Sequence, residues 1–232
     1  MEPKKIVKED ETLEHRIENI ELHNEDGPSR IYSDGTIKYF DRNNKLHRED
    51  GPAVIKLDGY KAWYKNGKLH REDGPAITRA NNSEEYLING KRHREDGPAV
   101  IKHDGTKIWC KNDIIHREDG PAIINSDGTE EYWLNGRLYR EDGPAFIRSD
   151  GLKAWYINNQ YHREDGPAVI RPDGTNFWYI KGKLHREDGP AVIYSDGTEE
   201  YWLNGKQVTQ EEILKAKVKT LKNTKINFSI KN

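Results

Sequence analysis

The chain has 232 residues, 33% hydrophobic and 34% charged, and 38 Lys and Arg against 40 Asp and Glu give a formal net charge of -2. That balance excludes the basic excess on which duplex nucleic-acid binding depends, and it weakens the case for attachment to anionic membranes. The longest apolar runs are too short to cross a bilayer, and Cys110 is the only cysteine, so an intrachain disulfide framework and a cysteine-based zinc site are both ruled out.

In chain order, residues 1–16 read as a charged segment without the apolar stretch of a signal peptide. A cytoplasmic, intracellular location, inside a host cell if the chain is viral, is the expectation. Ile17 to Leu22 matches the second half of the repeat that follows, so the array is expected to cover residues 17–208. Glu-Asp-Gly-Pro then occurs eight times, from Glu25, Glu49, Glu72, Glu95, Glu118, Glu141, Glu164 and Glu187. The first spacing is 24 residues and every later one is 23. Six copies read His-Arg-Glu-Asp-Gly-Pro-Ala in full, beginning with His47, and Tyr139 takes the His place in a seventh. Asp-Gly keeps the same period at Asp34, Asp58, Asp104, Asp127, Asp150, Asp173 and Asp196. Asn-Gly recurs at Asn66, Asn89, Asn135 and Asn204. Three markers in one register define a repeat of about 23 residues.

Each unit reads strand, turn, strand, turn. Asp-Gly and Asn-Gly between β-branched and aromatic runs predict tight type I′ hairpins. In Glu-Asp-Gly-Pro, Gly tolerates an unusual backbone angle and Pro fixes the next one, which predicts a bend between units. The expected fold is all-β: an elongated repeat β-meander, or solenoid, of about eight 23-residue hairpin units. At two strands per unit it would extend on the order of 80 Å. Trp63, Tyr86, Trp109, Tyr132, Trp155, Trp178 and Tyr201 form one aromatic row. Tyr64, Leu87, Cys110, Trp133, Tyr156, Tyr179 and Trp202 form the next on the opposite face, so the sheet must curl or be covered. Residues 209–232 read as a C-terminal cap. Thr209 and Glu212 make a capping box ahead of an apolar stripe, Ile213, Leu214, Val218 and Leu221. Alternating Ile226, Phe228 and Ile230 suggest a final strand.

The unit aromatic-aromatic-x-Asn-Gly-Lys-Leu-His followed by a strand ending in Asp-Gly resembles the MORN repeat. Trp202-Leu203-Asn204-Gly205-Lys206 and Ser195-Asp196-Gly197-Thr198 carry the likeness, over residues 17–208. MORN units have His-Gly-x-Gly where this chain has His-Arg-Glu-Asp-Gly-Pro-Ala. The chain is therefore more similar to the divergent variants, among them antitoxin-like bacterial proteins and repeat proteins of large DNA viruses. The resemblance implies an elongated β-meander used in protein scaffolding and sometimes in membrane tethering.

His-Arg-Glu-Asp contains the side-chain types of a metal or acid–base site. Its repetition argues against catalysis, because an active site needs one asymmetric constellation. Histidines about 10 Å apart cannot share one metal ion either. Along an extended strand His and Glu share one face and Arg and Asp the other, so Arg is expected to pair with an acid of the next repeat in a charge ladder. No phosphate loop, nucleophile elbow or calcium loop is present, so no cofactor is expected. The expected function is non-enzymatic protein binding, with membrane tethering or sequestration of a small ligand or toxin as alternatives. The candidate binding residues are Arg48, Arg71, Arg94, Arg117, Arg140, Arg163 and Arg186, together with positions where the repeats disagree, Asn81, Asn82, Asp113 and Tyr139.

Overall fold

The computed structural model describes residues 4–7, 13–17 and 21–22 as backbone strands, and residues 29–215 and 218 in full. It is nearly all β, with one short helix over 210–215. The chain forms two compact units, Met1–Arg117 with Ala122–Ser126, and Glu118–Pro121 with Asp127–Asn232.

The central repeats contain four very short strands each rather than two longer ones, and the last keeps Glu199–Leu203 as one five-residue strand. In one copy, Val54–Ile55 and Lys61–Ala62 belong to an antiparallel meander, while Tyr64–Lys65 and Lys68–Leu69 form a separate two-stranded hairpin. The break falls at Trp63, whose N–H donates to the Ala76 carbonyl of the next repeat. In the first unit Ala62 pairs with Ile77, Ile77 with Glu85 and Glu85 with Val100, so each repeat adds two strands to the meander. The second unit repeats the pattern, with Ala154 opposite Val169 and Phe177 opposite Val192. Strands Lys4–Val7 and Leu13–Ile17 pair with each other, and Leu13 pairs with Ile31. Strand pairing thus reaches into the N-terminal segment expected to lie outside the array.

The two turns differ. Both residues of Asn66-Gly67 have positive φ, 53° and 79°, as a type I′ turn requires. At Asp58-Gly59 only Gly59 does, at 87°, and Gly59 N–H donates to Lys56 O while Lys56 N–H donates to Tyr60 O. This is a three-residue loop, a type I turn closed by a left-handed glycine, in place of the expected type I′ turn. Asp58 Oδ1 adds an acceptor for Tyr60 N–H at 2.9 Å, which explains aspartate at that position. The 24-residue first spacing also has a local cause. Between Phe40 and Leu46 the hairpin loop carries one extra residue, and Asn44 adopts φ 58° to close it.

The core is thin and built from small side chains. The alanine of every His-Arg-Glu-Asp-Gly-Pro-Ala copy, among them Ala53, Ala76 and Ala99, is fully buried. In the first unit Val54, Ala62, Ala76, Ile77 and Leu87 pack together, and Leu46, Tyr64 and Leu69 from the small hairpins close over them. The second aromatic row therefore faces inward, and the hairpin layer covers one face of the meander. In the second unit that row forms a ring cluster, with Tyr161 at 4.6 Å from Tyr156 and 5.2 Å from Tyr179. At the C-terminus, Glu212 Oε2 accepts Thr209 N–H at 2.7 Å and Thr209 Oγ1 accepts Glu212 N–H at 3.3 Å, completing the capping box. Ile213 is buried whereas Leu214 and Val218 are exposed. Leu221 and the alternating Ile226, Phe228 and Ile230 lie outside the described residues.

Candidate functional site

The motif residues build one constellation, repeated along each unit. Arg71 follows Trp63 by eight residues, and after the Asn-Gly hairpin has reversed the chain its guanidinium lies over the indole, 4.3 Å from the ring centroid. Arg94 covers Tyr86 at 4.0 Å, Arg117 covers Trp109 at 4.1 Å and Arg163 covers Trp155 at 4.1 Å. Arg48, Arg140 and Arg186 do the same over Tyr39, Tyr132 and Trp178. In the clamps with described polar contacts, Nε donates to the aspartate two residues on, as from Arg71 to Asp73 at 2.9 Å and from Arg163 to Asp165 at 2.8 Å. Nη1 reaches the proline carbonyl four residues on, at 3.4 Å from Arg71 to Pro75 and 3.2 Å from Arg186 to Pro190.

The glycine of the motif has a different reason from the one expected. Its φ is not positive. A Cβ at Gly74 would lie 2.9 Å from Arg71 Cζ, and one at Gly97 would lie 3.0 Å from Arg94 Cζ, so glycine is needed to let the guanidinium approach. The arginine pairs within its own motif, which corrects the expected ladder between repeats. The six motif arginines with described ion pairs keep only 23–27% of their side-chain surface exposed.

The histidines join one repeat to the next. His47 Nδ1 accepts Asn66 N–H at 3.1 Å, and His70, His162 and His185 receive the N–H of Asn89, Lys181 and Asn204 at 3.0–3.1 Å. In these four copies an accepting Nδ1 places the proton of the neutral ring on Nε2, which faces the glutamate two residues on at 3.2–3.8 Å. In His70 both ring nitrogens are hydrogen-bonded.

The carboxylates point outward. The glutamates Glu49, Glu72, Glu95, Glu164 and Glu187 keep 62–89% of their side-chain surface. Asp50, Asp73, Asp96 and Asp165 are 82–84% exposed. A hydrogen bond from the motif arginine, reinforced by its charge, holds each of these four carboxyls below the usual aspartate range. A groove of about 570 Å³ runs between the first two full motifs, lined by Glu49, Asp50, Trp63, Lys65, Glu72 and Asp73. A second of the same volume lies between the motifs of Arg71 and Arg94.

The repeat departures are chemical equivalents. Asn82 takes the glycine place with φ 63°, and Asn81 Oδ1 accepts Ser83 N–H at 3.1 Å as the turn aspartates do. Asp113 takes the other glycine place with φ 67° and accepts Arg92 N–H at 2.9 Å. In that region His93 Nδ1 is left without a partner. Tyr139 keeps the backbone bond of the histidine column, donating its N–H to Tyr132 O at 3.1 Å. Cys110 is buried, and desolvation pushes its thiol up. The arginines expected to form the binding face are folded inward, and the exposed charges of each motif are its glutamate and aspartate. No family model and no curated protein matches the chain.

Proposed function

We propose that the chain is a non-enzymatic interaction scaffold of the divergent MORN type, which holds a basic protein segment along the column of outward carboxylates in the intracellular compartment. The supporting observation is their presentation. Each full motif sinks its arginine and histidine into the fold and leaves a Glu-Asp pair facing solvent in the same register. Charges in rows of this kind favour recognition and on-rate for a complementary partner. The grooves between motifs give that partner's side chains a place to enter.

Replacing Glu49, Glu72 and Glu95 by lysine tests this reading, because these side chains contribute little packing. Proteins captured from native lysate by the wild-type chain are expected to be lost with the triple variant, at an unchanged Tm. No captured protein, or capture indifferent to the reversal, overturns it.

One observation favours a second reading, the membrane tether. In the second unit Leu134, Ile157, Ile180 and Leu203 alternate with the inward row, and across each small hairpin they face Arg137, Gln160, Lys183 and Lys206. An apolar column bordered by three basic chains and Gln160 suits an anionic lipid surface. Sedimentation with phosphatidylserine vesicles at low salt, abolished by Ile157→Asp with Ile180→Asp, would support it; no sedimentation overturns it.

A further inference from the structure

We propose that three of the Asn-Gly turns, those of Asn66, Asn89 and Asn204, are latent deamidation sites, closed while repeats are stacked and opened when a repeat lifts from its neighbour. Asparagine followed by glycine is the pair most prone to this reaction, because glycine places no side chain beside the attacking nitrogen. The glycine backbone nitrogen loses its proton and attacks asparagine Cγ. A C–N bond forms, the Cγ–Nδ2 bond breaks and ammonia leaves. Water then opens the five-membered imide at either carbonyl, giving aspartate or isoaspartate.

The folded turn opposes the first step twice. Asn66, Asn89 and Asn204 lie in the left-handed region, with φ of 53°, 52° and 52°. With the ψ usual for that region, the next nitrogen stands on the far side of Cα from Cβ, remote from Cγ. The attacking nitrogen is also occupied, since Gly67, Gly90 and Gly205 donate their N–H to Leu46, Leu69 and Leu184 of the preceding repeat at 2.8, 2.7 and 2.9 Å. The asparagine's own N–H is tied to a histidine of that same repeat. These hydrogen bonds all cross the junction between repeats, so a single opening releases them together and frees the turn to leave the left-handed region. Isoaspartate carries the chain through an extra methylene and cannot restore the two N–H directions, so a repeat that carries it does not restack. The array thereby converts transient opening into permanent loss of a junction.

The test is peptide mass mapping of the wild-type chain incubated at mildly alkaline pH, with and without denaturing urea. Deamidation at the three sites is expected to be slower by more than about tenfold in the folded chain, as local opening limits it. Asn112-Asp113, where glycine is absent, should react slowly in both conditions. His70→Ala, which removes the acceptor for Asn89 N–H, should speed Asn89 several-fold while leaving Asn66 and Asn204 unchanged. Equal rates in the folded and urea-treated chains overturn the proposal. So does a His70→Ala variant in which all three sites accelerate together, since that reports loss of the whole fold and not the opening of one junction.

Discussion

Arg94 shows what one motif side chain does: its guanidinium stacks on Tyr86, donates to Asp96 and reaches the Pro98 carbonyl, across a gap left by Gly97. A planar fork meets all of these demands together, and a lysine ammonium cannot. Arg94→Lys is therefore expected to cost about 1–2 kcal/mol in urea unfolding. Gly97→Ala should cost a similar amount by displacing the same guanidinium, and combined with Arg94→Ala it should cost little more than Arg94→Ala alone. The aspartates add a pH dependence with a definite sign. Asp73 and its equivalents titrate below their ordinary value when folded, so their contribution is complete above that value and is lost as pH falls through the folded one. The turn aspartates Asp104, Asp127 and Asp173 act in the same direction, through the N–H of the threonine two residues on. Through these aspartates, thermal melts should fall below about pH 4. Asp73→Asn should lower Tm at pH 7 and lose most of that deficit in acid. Another local rule follows the second row. Where Trp133 or Trp202 occupies it, a glutamate two residues earlier accepts the indole N–H at 2.8 Å. Tyr64 and Tyr156 instead follow the buried alanines Ala62 and Ala154.

At the scale of the element, the repeat and its strand and turn positions were legible because turn chemistry is local. Aspartate, asparagine and glycine at fixed offsets carry their own hydrogen bonds and backbone angles. Even so, Asp-Gly and Asn-Gly look equivalent in sequence and are not. The first closes a three-residue loop and the second a two-residue one, and the difference depends on which strands pair, a tertiary matter. The arginine clamp was illegible for the same reason, since its ring lies eight residues upstream across a hairpin. The departures Asn81-Asn82 and Asn112-Asp113 looked like released positions but preserve the left-handed angle and the side-chain acceptor. Asn82→Gly should accordingly leave stability within about 0.5 kcal/mol of wild type, whereas Gly59→Val, at φ 87°, should cost well over 1 kcal/mol. Chemical denaturation of the two variants side by side decides this; a costly Asn82→Gly would give that side chain a role beyond the turn.

At the scale of the whole molecule, what joins repeats is mostly backbone. Within a unit, each junction consists of ladder pairs, the N–H of the first-row aromatic to the next buried alanine carbonyl, a turn N–H to the preceding Leu-column carbonyl, and in most described copies a turn N–H to a histidine. Apart from the histidine bond, none of these depends on which variable side chains a given repeat carries. Stability should then behave as a sum of repeat and nearest-neighbour terms. Deleting residues 71–93 removes one whole period from the first unit and rejoins His70 to Arg94, recreating an intact motif. This variant should fold with wild-type circular dichroism per residue and a urea m-value reduced roughly in proportion to the residues lost. Deleting residues 71–92 instead leaves one residue too many and breaks the register. The period-two alternation then turns the next small hairpin's inward side chains outward, and the apolar layer has nothing to cover. That variant should be severely destabilised or aggregate. If the two deletions were equally stable, the register of side chains would not be what holds the layers together, and the junction bonds would have to be credited with more than backbone continuity.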